Sequence, residues 1–308
     1  MDADYLQYEY RRKGYDHGLF SFSDSFSRPP LLLPDGAKVA VVILPVLQHF
    51  PVSGQAGEYP NLWDISRYDY GVRVGIFRIL ETLGKFDFPA TVAFNASLAK
   101  LEPLVNQMRD AACEIIGHGS NMNVLFTNDL GYEEESRVVG ESLQILESTF
   151  GSKVTGWLSP QSSESNHTPR ILASHGIKYQ FDWSNDDRPY CFDLADENLI
   201  AMPGSYELSD KWAMEQLNYT SPRWADQVLQ YVNVLCTEAS EHGARVMTLQ
   251  LHPWIAGQPH RIRSLEKIFE HLQAREDVLV AKAETIIESL EPQLRKDGSG
   301  GNSDVTPP

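Results

Sequence analysis

Lys38-Val39-Ala40-Val41-Val42-Ile43-Leu44-Pro45-Val46-Leu47 carries one charge, at its first residue, and no polar side chain after it. A run this short and this apolar fits a strand buried on both faces, the kind found in parallel sheets covered by helices. Outward from it the chain keeps alternating. Residues 73–86 have helical spacing, 90–94 read as a strand, 101–111 as a helix and 113–116 as a strand ending in Gly117-His118-Gly119. Then come a helix over 132–150, a strand over 154–158, a short helix over 167–175, strands over 179–183 and 199–202, and a helix over 224–242. Ala244 to Leu251 forms a strand that ends at His252; a helix over 263–275 and a strand over 278–281 follow. Alternation of this kind predicts an α/β fold in which about seven βα units close into a barrel.

Strand C-termini of such a barrel converge on one face, where α/β enzymes hold their chemistry. That face would gather Gln48, His49, Asn95, His118, Ser159, Pro160, Asp182 and His252. His252 and His260 share a loop shaped by Pro and Gly, and imidazole is suited to proton transfer near neutral pH.

The chain has 308 residues, with 42 acidic against 26 basic and a formal charge of −16. That field repels nucleic acid and anionic membrane, so neither is expected as a partner. Three separated cysteines make no disulfide framework. With no basic-then-apolar leader and no apolar run of membrane length, a cytoplasmic protein is expected. Glycine-rich phosphate loops are missing, which excludes the usual nucleotide enzymes. Residues 1–37 read as an aromatic N-terminal arm, 38–292 as the catalytic domain and 293–308 as a disordered tail. An arm lying across a neighbour makes a homo-oligomer the expected state.

Six segments resemble, in order, the motifs of the polysaccharide deacetylase superfamily (carbohydrate esterase family four). They are residues 68–75 (YDYGVRVG), 89–96 (PATVAFNA), 114–119 (EIIGHG), 156–160 (GWLSP), 182–190 (DWSNDDRPY) and 251–262 (LHPWIAGQPHRI). Within that superfamily the chain is most similar to metal-independent allantoinases and cyclic imide hydrolases, over roughly residues 38 to 290. The resemblance implies a distorted seven-stranded (β/α) barrel.

Departures from the family pattern are equally informative. Deacetylases carry an Asp-Asp pair after the first strand and two His four residues apart. Here the first position reads Leu47-Gln48-His49-Phe50, and the residue four after His118 is Met122. An amide and a thioether replace carboxylate and imidazole poorly on a divalent ion. No metal is therefore expected to be required, with His49 and His118 the two weak candidates for a zinc-like ion.

The resemblance makes His252 the general acid/base, with His118 on the scissile carbonyl or the water. Asp187 is a candidate orienter of a histidine, and Gln48 stands where the family keeps its base. Arg73, His49, Asn95, Glu164, Asp186, Tyr190, Trp254 and His260 are the candidate substrate contacts. For Arg73 an ion pair with Asp69 or Glu81 is the competing reading; for Asp186-Asp187 it is turn chemistry, and for the aromatics core packing. Taken together these predict a small-molecule hydrolase that opens a cyclic amide, imide or ureide without a required metal. The alternatives are a metal-free isomerase or lyase step in the same pocket, and a binding protein that has lost its chemistry.

Overall fold

The computed structural model describes residues 19–297, apart from 21, 22, 26, 53–61 and 195–197. Nine strands form one mixed sheet among the described residues: β1 (Val39–Leu47), β2 (Thr91–Phe94), β3 (Glu114–Gly117), β4 (Gly156–Trp157), β5 (Tyr179–Gln180), β6 (Tyr190–Cys191), β7 (Ile200–Ala201), β8 (Arg245–Leu251) and β9 (Val278–Val280). Eight α-helices accompany them: α1 (Leu62–Tyr70), α2 (Ile76–Lys85), α3 (Glu102–Asp110), α4 (Tyr132–Phe150), α5 (Thr168–Ser174), α6 (Ser221–His242), α7 (Ile262–Gln273) and α8 (Ala283–Asp297). None of the described helices is long and apolar enough to cross a membrane.

The opening stretch is the hub. All nine residues of β1 are buried, and β1 pairs in parallel with β2, β8 and β9. Because successive side chains point to opposite faces, its apolar run divides in two. Val39, Val41, Ile43 and Leu47 join the core beneath the surrounding helices. Ala40, Val42, Leu44 and Val46 face the barrel interior and share one apolar cluster with Ile286, Ile287, Leu290 and Leu294 of α8. A buried carboxylate seats that helix. Glu114 accepts the backbone N–H of Glu284 and the hydroxyls of Thr91 and Tyr179, and Thr91 Oγ1 accepts the N–H of Ala283.

The sheet runs β6-β7-β5-β4-β3-β2-β1-β8, with β6 antiparallel to β7, so the backbone ladder does not join β8 to the far edge. The backbone N–H of Val246, which donates to the Asp187 carbonyl, and groups of Thr248 and Gln250 bridge the opening instead. Thr248 Oγ1 donates to the carbonyl of Pro203, Thr248 N–H donates to Ser205 Oγ, and Gln250 Nε2 donates to the carbonyl of Gly204. The result is the distorted deacetylase-type (β/α) barrel.

Sequence periodicity misses β6, α1 and α8 and takes the tail to begin too early. Helix α8 continues to Asp297 with Leu294 buried, so the segment from 293 starts as helix; 298–308 lie outside the described residues. Much of the predicted arm, 1–18, is also outside them. Its last part belongs to the body: Leu31 and Leu33 are buried, and the Leu31 carbonyl accepts from Ala244 N–H.

One close approach sets the position of the loop after β8. Between α1 and α2, Gly71–Gly75 makes a π-helical turn that lies against Pro253 and Trp254. A Cβ on Gly75 would stand 1.9 Å from the Pro253 carbonyl oxygen, and one on Gly71 would stand 2.8 Å from the Trp254 nitrogen. Only a bare Cα admits that contact. Gly75→Ala is therefore expected to cost about 1–3 kcal/mol, as overpacking does, measured by urea unfolding. Gly84→Ala, where a Cβ meets nothing within 4 Å, should be neutral or mildly stabilising.

Candidate active site

Strand parity decides which side chains reach the mouth of the barrel. Continuing the interior register of β1 past Val46 brings Gln48 inward and turns His49 outward; continuing β8 past Val246 brings Thr248, Gln250 and His252 inward. On β3 the same count carries His118 inward beyond Ile116. A cavity of about 120 Å³ results, lined by Gln48, His118, Ser159, Lys211, Gln250 and His252 among others.

Both imidazoles are held in one tautomer. The fully buried Asp210 carboxylate stands 2.7 Å from His252 Nδ1 and also accepts the backbone N–H groups of His252 and Ala256. A carboxylate so placed accepts the Nδ1 proton and leaves the Nε2 lone pair of a neutral ring bare toward the cavity. His118 Nδ1 lies 2.6 Å from the Leu158 carbonyl oxygen, which can only accept. Its Nε2 therefore also carries a lone pair, and that buried atom has no hydrogen-bond partner. Burial, against the pull of that carbonyl, lowers the His118 pKa to about 4, so the ring is neutral near pH 7.

A carboxyl pair stands behind the Ser159 wall. Asp182 accepts Ser159 N–H at 2.7 Å and its hydroxyl at 2.8 Å, and Trp183 Nε1 donates to Glu164. Burial pushes Asp182 up to about 7, while burial and the neighbouring Asp182 raise Glu164 well above the carboxylate range. The adjoining cavity edge stores backbone strain: Gln161 and Ser162 both have positive φ, 57° and 50°.

Of the residues singled out in the sequence, the cavity brings together Gln48, His118 and His252. Trp254 is one layer behind: it packs edge-on to His252, and its Nε1 faces Gln48 Oε1 at 3.4 Å. Asp187 is not the orienter. Its carboxylate accepts from the Tyr231 hydroxyl, and the role falls to Asp210. Asp186 is spent on an ion pair with Arg28 at 2.7 Å. Arg73 pairs with Asp69 in solvent, with three-quarters of its side chain exposed. Asn95 is fully buried and ties strand ends together, accepting from His49 N–H and donating to the His118 carbonyl. Tyr190 packs with Phe20 and Phe192 and donates to Asn185, outside the cavity. His260 is exposed in the loop before α7. His49 faces a second cavity of about 590 Å³, with Phe50, Ile65, Tyr68, Val72 and Leu101. Its ring is bonded to Ser97 Oγ at 2.7 Å.

The reading of His118 as a donor to the scissile carbonyl is likewise overturned, because its one proton is committed to Leu158. Sequence reasoning missed Asp210, Lys211 and Gln250. Asp210 is one of 42 acidic residues and lies in a stretch without clear periodicity. The only available signal was its place between two strand ends.

The donor set does not fit the metal of the deacetylases that the sequence resembles. Of the three corresponding positions only His118 offers a strong ligand, since Gln48 presents an amide and Met122 a thioether, buried with its N–H on the His49 carbonyl. His49 cannot join His118, because it faces the other cavity. Among the described residues no three His, Cys, Asp or Glu side chains gather into a metal-binding group.

A family model for polysaccharide deacetylases matches residues 65–180. A Schizosaccharomyces pombe protein, named by inference as a polysaccharide deacetylase, is 28% identical over 241 residues, which is 73% of this chain and 75% of that one. A peptidoglycan deacetylase of Helicobacter pylori is 25% identical over 265 residues, covering 74% and 88% of the two chains. Among solved structures, a PuuE allantoinase superposes with a TM-score of 0.77 at 21% identity, over 87% of this chain and 96% of that one, a likeness of fold.

The buried neutral His118 adds an acid-sensitive contribution to stability, opposite in sign to that of the raised carboxyls Asp182 and Glu164. In the unfolded chain this ring takes up a proton near pH 6.5, whereas in the folded protein it does so only near 4. Its contribution to stability is complete above about 6.5 and falls by roughly 3 kcal/mol as pH drops to 4. From pH 7.5 to 4.5 the urea midpoint of the wild type should fall relative to that of His118→Gln, because the carboxyl contributions are common to both proteins.

Proposed function

We propose that this chain, which belongs to the polysaccharide deacetylase superfamily and is a hydrolase acting on carbon–nitrogen bonds, opens the ring of a cyclic amide, imide or ureide without requiring a metal. The observation that carries this reading is the pair of tautomer-fixed imidazoles whose Nε2 lone pairs meet on one small cavity, on a wall stripped of the family's metal donors.

His252 Nε2 takes a proton from the attacking water, and Asp210 stabilises the imidazolium that forms. His118 Nε2 accepts the water's other hydrogen and aims its oxygen at the ring carbonyl. When the tetrahedral species collapses, the C–N bond breaks and His252 returns its proton to the leaving nitrogen. The products are a carboxylic acid and an open-chain amide, amine or ureido group. Gln48 also walls the second, largely apolar cavity, so the reacting ring sits inside and its substituents extend toward Tyr68 and Ile65.

A second reading rests on the same pair of lone pairs. Two neutral bases on one cavity also suit transfer of a proton between two positions of a small metabolite, without hydrolytic water. Incorporation of oxygen-18 from labelled water into the product separates the two.

Ultraviolet absorbance of hydantoin, succinimide and allantoin-type rings should fall on incubation with the protein, at the same rate with and without a chelator. His252→Ala should lower kcat by about 10²–10⁴. Asp210→Asn should lower it comparably: the Asn must keep its oxygen toward the backbone N–H groups, so its NH₂ meets Nδ1 and moves the ring proton to Nε2. Chelator-sensitive turnover restored by zinc would refute the metal-free reading, and an undiminished His252→Ala would remove the ring from the mechanism.

A further inference from the structure

We propose that the Lys211 ammonium supplies the positive charge that the family obtains from its metal, donating to the carbonyl oxygen as that oxygen becomes an anion. The inference deepens the ring-opening reading above and rests on it.

It follows from counting donors on the cavity wall. An attacked carbonyl needs hydrogen-bond donors at its oxygen, and the two imidazoles are excluded because each turns an unprotonated Nε2 to the cavity. The Ser159 hydroxyl is spent on Asp182 at 2.8 Å, and Gln250 Nε2 gives a hydrogen to the Gly204 carbonyl at 3.2 Å. Gln161, Ser162, Tyr206 and the second hydrogen of the Gln250 amide add neutral donors to the wall, and Gln48 is another. The atom facing Trp254 Nε1 must be its oxygen, since an indole N–H cannot accept, so its NH₂ is left for the substrate.

Lys211 is the one lining residue with a formal positive charge, and among the described residues it forms no ion pair. Its origin is fixed. Asp210, the preceding residue, is clamped by the ring of His252 and by the N–H groups of 252 and 256, and Lys211 itself is in the helical region at φ −65°, ψ −50°. The lysine thus leaves the backbone beside the group that orients the base. Its charge is felt by the neighbouring imidazole, for it is among the influences lowering the His118 pKa. A charged donor outweighs a neutral one at a developing oxyanion.

The electron count is simple. As water oxygen bonds to the carbonyl carbon, the π pair moves onto the carbonyl oxygen, and the ammonium holds that anion without giving up its proton. When the pair returns, the C–N bond breaks and His252 protonates the nitrogen. No further reactant is needed.

Lys211→Met is nearly isosteric and removes only the charge and the donors. Its kcat for ring opening should fall about 100- to 1,000-fold with KM little changed, while the urea midpoint stays near that of the wild type. Methylammonium, and not methanol, should restore part of the rate to Lys211→Ala. Retention of kcat within threefold in Lys211→Met overturns the assignment and leaves ring opening standing. Calorimetric titration with methylphosphonate, a tetrahedral anion, needs no turnover. Binding at least tenfold weaker in Lys211→Met supports the assignment even if no ring is opened, in which case the ring-opening reading alone falls. Equal binding in both proteins, or none in the wild type, counts against Lys211.

Discussion

The contact between the Asp210 carboxylate and His252 Nδ1 governs the rest of the site. A fully buried carboxylate is tolerable only when its oxygens are satisfied, and three N–H groups do so here, all from the chain just after β8. The same bonds fix the entry of that chain into its loop, the tautomer of the ring and the backbone from which Lys211 departs. The opposite side of the loop is held by shape, through the bare Cα atoms of Gly71 and Gly75 against Trp254 and Pro253. Two of the sequence segments that resemble the deacetylases meet at that contact.

Much of the fold was legible because period-2 burial is visible in a sequence. The apolar run from Val39 to Leu47 announces a strand covered on both sides, and alternation then tells which of two neighbours at its end faces inward. Gln48 and His49 are the instructive case: adjacent residues, both polar, opening onto two cavities with Gln48 shared between them. Positions at strand ends, His118 and His252, came out together. What was not legible lies in loops and in competition for partners. Asp187 and Asp210 are equally good orienters on paper, and only the coordinates show one bonded to Tyr231 and the other to His252. Arg73 takes the ion pair with Asp69 that its spacing already allowed, whereas the partner of Asp186, Arg28, is far away in the chain. Thr248 and Gln250 read as ordinary strand residues, yet their side chains help close the barrel beside the backbone bond from Val246 to Asp187.

The electrostatics of the cavity follow from what it lacks. With an amide at the first-strand position and a thioether four residues after His118, the chain lacks the ligand set that the resembled deacetylases use to polarise a carbonyl. Fixing both imidazoles as acceptors sharpens the demand, because it leaves two bases and, apart from Lys211, only neutral donors on the wall. The lysine beside Asp210 meets that demand with a permanent charge, and the Gln48 amide sets a second donor on the wall shared with the apolar cavity. A base oriented by a carboxylate, a second acceptor for the water and a cation for the oxygen make a consistent set for amide hydrolysis.

The most direct measurement is a long-range proton–nitrogen correlation spectrum of the nitrogen-15 histidine-labelled protein at pH 8, assigned with His118→Gln and His252→Gln. Both rings should show a protonated Nδ1 and a bare Nε2. A proton on Nε2 of either ring would contradict the account, since that ring would face the cavity as a donor and the case for two bases and a separate cation would fail.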